Sequence, residues 1–62
     1  MTDENIKAMD PYILLSVINT KLRDEYSSLD ALCDDMDIDK KNVEIKLESV
    51  DYKYDKSINQ FK

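Results

Sequence analysis

From Leu29 onward the apolar residues fall in a pattern that few folds can satisfy. Leu29, Leu32, Cys33 and Met36 sit at i, i+3, i+4 and i+7, the spacing of one helical face. Ile38 then stands alone between Asp37 and Asp39, an apolar plug suited to a tight turn, and Val43, Leu47 and Val50 mark the inner face of a further helix. Two helices that cross steeply need a small residue at their closest approach, a plug between them and apolar anchors on the second helix. Cys33 supplies the small group where Ala is usual, so the stretch from Ser28 to Val50 reads as a helix-turn-helix. Asp37 stands where Gly is common, which asks a residue with a Cβ to make the turn.

The caps agree with this division. Ser27 or Ser28 caps the first helix, with Asp30 three residues after Ser27 as a short capping box, and Asp39 caps the second. Upstream, Asp10-Pro11 is a start signal, because Asp binds free amides and Pro fits the first helical position. A helix from there to about Asp24 places Leu14 or Leu15, Ile18 and Leu22 on one face, widened by Val17. After Val50 the spacing becomes alternating: Tyr52 and Tyr54, then polar Asp55-Lys56-Ser57, then Ile58 and Phe61. This reads as a hairpin; the lack of Gly or Asn-Gly counts against it, because two-residue turns favour residues that tolerate positive φ, and leaves a longer loop through Asp55 to Asn59 open.

The expected fold is mainly α, a three-helix, helix-turn-helix-like domain with a C-terminal β-hairpin, in the order of a miniature winged helix. Residues 1–9 offer little apolar surface beyond Ile6, Ala8 and Met9 and are assigned as a flexible segment adding at most one extra turn. Residues 10–62 form the single domain.

A chain of 62 residues has room for one small core. Cys33 is the only cysteine, so no internal disulfide can reinforce it, and a reducing cytoplasm is the expected setting. The first ten residues are polar and acidic, unlike a secretory signal, and the longest apolar run, Tyr12–Leu15, is far short of the roughly 20 residues that span a bilayer. No membrane association is expected.

Net charge is −5, but it is unevenly spread: the part up to Asp39 has three bases against ten acids, and the part from Lys40 has six lysines against four acids. If the third expected helix entered a DNA major groove, Lys40, Lys41 and Lys46 would meet phosphates and Asn42 could read adenine. Asp39, Glu44 and Glu48 cancel those lysines on the same helix, which suits a solvated face with i,i+4 charge pairs better. Nucleic acid is therefore the less favoured partner.

Asp35, Asp37 and Asp39 open like a calcium loop, yet Lys40 stands where the sharp turn needs Gly and Lys46 where a bidentate Glu is required. Turn formation and capping explain the aspartates. With no histidine and one cysteine, neither a tetrahedral zinc site nor a Ser-His-Asp or Cys-His nucleophile can be built. No catalytic residue, cofactor or metal is assigned. Cys33, on an apolar stripe beside Asp34 and Asp35, is expected to be a buried thiol with a raised pKa.

The runs from Asp10 to Cys33 (DPYILLSVINTKLRDEYSSLDALC) and from Tyr52 to Lys62 (YKYDKSINQFK) resemble a family of short bacterial proteins, domain of unknown function 4250. The likeness extends from Met9 to Lys62. It implies a free-standing bacterial cytoplasmic protein and carries no functional residues with it. Two classes of function remain: a non-enzymatic protein-interaction or self-association module, and, as the alternative, a nucleic-acid-binding winged helix.

Overall fold

Asp10 and Pro11 start the longest helix for the reason their chemistry suggests. The Asp10 carboxylate accepts the Tyr12 and Ile13 amides at 2.8 and 3.3 Å, and Pro11 occupies the first turn, where no backbone donor is needed. The computed structural model describes residues 1–62. It contains α1 (Asp3–Ala8), α2 (Pro11–Asp24), α3 (Leu29–Met36), α4 (Lys40–Glu48), β1 (Tyr54–Asp55) and β2 (Gln60–Phe61). The fold is thus mainly helical with a two-stranded antiparallel hairpin at its C-terminal end.

Leu14, Ile18 and Leu22 bury one face of α2. Ser28, not Ser27, caps α3, its hydroxyl accepting the Ala31 amide at 3.0 Å. Leu29, Leu32 and Cys33 are buried on α3, and Met36 packs against the core from the side. Asp37 then enters the left-handed region at φ 55°, where the Asp37 and Ile38 amides return to the Asp34 and Cys33 carbonyls at 3.3 and 3.0 Å. An aspartate can make this glycine-like turn because its short polar side chain tolerates positive φ better than most. Ile38 is buried as the plug, and the Asp39 carboxylate caps α4 by accepting the Lys41 amide at 2.9 Å.

Two expectations are corrected. Val50 does not extend the inner face of α4, which consists of Val43 and Leu47; the helix stops at Glu48 and Val50 is half-buried in the following turn. Asp51, at φ 67°, reverses the chain there, and the Tyr52 amide returns to the Leu47 carbonyl at 3.1 Å.

The second correction is larger: residues 1–9, expected to be loose, contain a fourth helix. The Thr2 hydroxyl caps α1 by accepting the Asn5 amide at 3.1 Å, and Ile6 is fully buried in the eleven-residue core. Polar links supply what the sparse apolar surface does not. The Asp3 carboxylate oxygen accepts both the Asp39 amide at 2.9 Å and the Asn42 side-chain amide at 3.0 Å, fastening α1 across the start of α4.

The hairpin register pairs Tyr54 with Phe61 and Asp55 with Gln60. One step further out, Lys53 and Lys62 exchange both backbone hydrogen bonds, at 3.3 and 2.9 Å. Residues 56–59 form the connection, longer than a two-residue turn, with Asn59 at φ 54°. Phe61 is buried, and its ring meets that of Tyr54 at 5.5 Å between centroids with a 53° tilt, a favourable aromatic geometry.

Candidate functional site

Helix α4 carries the four residues that the sequence offers to a nucleic acid, and three of them are engaged within the chain. Lys40 pairs with Asp30 of α3 at 3.0 Å, and this carboxylate holds the lysine pKa above its ordinary value. Asn42 donates its side-chain amide to Asp3 of α1. Lys46 Nζ donates to the Lys7 carbonyl at 2.8 Å, a favourable placement for a cation at the C-terminal end of α1. Lys41 is exposed and has no ion pair. Between these groups Ile45 presents an apolar side chain at 61 % exposure.

The pair α3 and α4 therefore has a covered flank. Its second helix is overlaid by α1, so Asn42 and Lys46 turn toward α1 while Lys40 turns toward α3, and the residues are not brought together on one free face. The sequence signal for this cover is Thr2 followed by Asp3 and Glu4, a capped acidic first turn.

The aspartates that open like a calcium loop have separate uses. Asp35 accepts the Tyr26 hydroxyl at 2.5 Å, which together with burial lifts the tyrosine to about 12. Asp37 makes the left-handed turn, and Asp39 caps α4. No three metal-ligating side chains converge anywhere on the fold, and no pocket indents its surface.

Cys33 is 5 % exposed, and its thiol is pushed up to about 11, chiefly by burial and next by Asp30. Glu44 and Asp39 add to the shift and Lys40 opposes it. The sequence neighbours Asp34 and Asp35 are exposed, so the negative charge that acts on the thiol comes from one turn back and from α4.

Sequence reasoning also passed over the two asparagines that dock the hairpin. Asn19 of α2 clasps Phe61, accepting its amide at 2.8 Å and donating to its carbonyl at 3.1 Å. Asn59 donates to the Leu22 and Tyr26 carbonyls at 2.9 and 3.0 Å and accepts the Tyr54 hydroxyl at 2.7 Å. The Tyr54 hydroxyl in turn accepts the Leu29 amide at 3.3 Å, which ties the hairpin to the start of α3.

No helix is long and apolar enough to cross a membrane. No curated protein and no solved structure matches the chain. The family model described as a domain of unknown function, DUF4250, matches residues 8–61 of the 62, starting at the last residue of α1. The chain belongs to that family.

Proposed function

We propose that the protein is a non-enzymatic interaction module that works by self-association. The observation behind this reading is the apolar surface left in solvent: Tyr12, Ile13, Ile45 and Ile58 are 59, 58, 61 and 50 % exposed on a chain whose core holds only eleven residues. Small domains bury little surface on folding, and covering such groups against a second chain adds stability that the monomer lacks.

Nucleic-acid binding is the alternative, and it has less support. Lys40, Asn42 and Lys46 would have to abandon Asp30, Asp3 and Lys7 to reach a groove. A net charge of −5 would oppose their approach to phosphates. A buried, unpaired thiol and the absence of a disulfide suit a reducing bacterial cytoplasm.

Sedimentation equilibrium from micromolar to millimolar concentration tests the reading, and the expected result is a mass that climbs toward a dimer. A chain that stays monomeric while retarding DNA fragments at low salt, with the retardation lost in the Lys40→Glu, Lys41→Glu, Lys46→Glu triple variant, would replace self-association with the alternative.

A further inference from the structure

We propose that the outer edge of β1 is the contact through which two copies pair, strand to strand, about a two-fold axis at Tyr54. The inference rests on the self-association reading but locates the contact by backbone and charge complementarity, not by the four exposed apolar residues. Antiparallel strands alternate between residue pairs that exchange two hydrogen bonds and pairs whose backbone groups point away from each other. Lys53 and Lys62 are of the first kind, so Tyr54 and Phe61 are of the second. On β2 the outward groups of Phe61 are both taken by Asn19. The corresponding amide and carbonyl of Tyr54, on the opposite edge, receive no such clasp.

The residues flanking Tyr54 make this edge complementary to itself. Lys53 and Asp55 lie two apart and so share one face of the strand. Antiparallel pairing of identical strands about Tyr54 sets Lys53 of each copy opposite Asp55 of the other, while the two tyrosines exchange a pair of N–H···O bonds. Centring the axis one residue to either side opposes two lysines or two aspartates, so charge selects the Tyr54 register.

Within one chain Lys53 has no ion pair and lies directly across from Lys62, an unfavourable like-charge neighbour. Asp55 Oδ1 accepts the Ser57 amide at 3.0 Å and its hydroxyl at 2.6 Å; Lys62 also acts on this carboxylate from a distance, but no cation forms an ion pair with it. Lys53 and Asp55 are both without an ion pair inside the chain, so each copy offers the other a direct partner. The edge is short, so the association is weak and concentration-dependent.

Charge reversal tests the pairing. Lys53→Asp and Asp55→Lys are each expected to weaken dimerisation by roughly tenfold, and an equimolar mixture of the two is expected to restore it, because the mixed pair regains both complementary contacts. The Tyr54 amide of the native chain should also gain hydrogen-exchange protection as concentration rises. Lys53→Asp leaves the Ser57 contacts intact and decides the matter if Asp55→Lys fails to fold. A native dimer as tight in Lys53→Asp as in the unaltered chain, with unchanged Tyr54 exchange, overturns the edge contact alone. A native chain that is monomeric throughout overturns self-association and the edge contact together.

Discussion

Asn19 stands in for a third strand beside Phe61: one side-chain amide meets both the backbone donor, at 2.8 Å, and the backbone acceptor, at 3.1 Å, on the free edge of β2. A side chain from the middle of α2 thus completes a sheet of two short strands, which would be marginal on its own. Asn19→Leu removes both contacts and strands two partly buried backbone groups. The variant is expected to lose about 1–3 kcal/mol of stability by urea denaturation. A change within error would show that water replaces the clasp at no cost.

Asp37 and Asn59 share left-handed backbone, at φ 55° and 54°, but differ in what their side chains do. Asp37 has no side-chain hydrogen bond, so Asp37→Gly relieves a steric cost and should stabilise by about 0.5 kcal/mol, net of glycine's greater freedom when unfolded. Asn59→Gly keeps the backbone permissible yet deletes the contacts to Leu22, Tyr26 and Tyr54, and should destabilise by about 1–3 kcal/mol. Opposite signs in paired thermal melts are the expected outcome; the same sign in both would mean that backbone geometry, not side-chain bonding, governs these turns.

Ile6 is the one residue of α1 in the core. Ile6→Ala should cost about 2–5 kcal/mol, the range for emptying a buried aliphatic site, and should detach α1 from α4. Loss of amide-exchange protection at Asn5, Ile6 and Lys7 would report the detachment. A cost near zero would return residues 1–9 to the status of a loose segment.

Asp3 lies below the usual carboxylate range, first because Asn42 donates to it and then because the Asp39 amide does. A depressed pKa in the folded state means that the ionised carboxylate stabilises the fold: the contribution is complete above the unfolded value and disappears as pH falls through the folded one. Stability should therefore decline below about pH 4, and less so in Asp3→Asn, which keeps an acceptor but no titratable proton. Parallel acid limbs in melts of the two proteins would remove Asp3 from the acid response.

Cys33 gives the opposite limb. Its thiol is raised from 9.0 to about 11, mainly by burial, so the folded state holds the proton more tightly than the unfolded state. That contribution is complete below the unfolded value and is lost as pH climbs toward about 11. Alkaline destabilisation beginning above pH 9 and weakened in Cys33→Ala is expected, as is slow reaction of the native thiol with an aromatic disulfide reagent that becomes fast in denaturant. Equal reaction rates in both states would contradict the burial.

The elements legible in the sequence are those with local causes. Asp10-Pro11, Ser28 and Asp39 each act within three residues of themselves, and the stripes on α2, α3 and α4 repeat at helical period, so all are visible in a short window. The helical period separates Lys40, Lys41, Asn42 and Lys46 from the buried positions Val43 and Leu47 but spreads them around α4. Their engagement was not legible, because Asn42 meets a residue 39 positions away and Lys46 another at the same separation. Asn19 and Asn59 were hidden for the same reason, binding partners 42 and 37 positions distant. A lone Ile6 has no periodicity to announce a helix, and Val50 keeps the helical rhythm although α4 ends at Glu48.

Core residues sit near both extremes of the chain, Ile6 in α1 and Phe61 in β2; α1 is fastened to α4 through Asp3 and Asn42, and β2 to α2 through Phe61 and Asn19. Neither extremity can fray without opening the interior. Unfolding should therefore proceed as a single cooperative event, with backbone amides in α1 and in the hairpin exchanging at the same limiting free energy as those in α2.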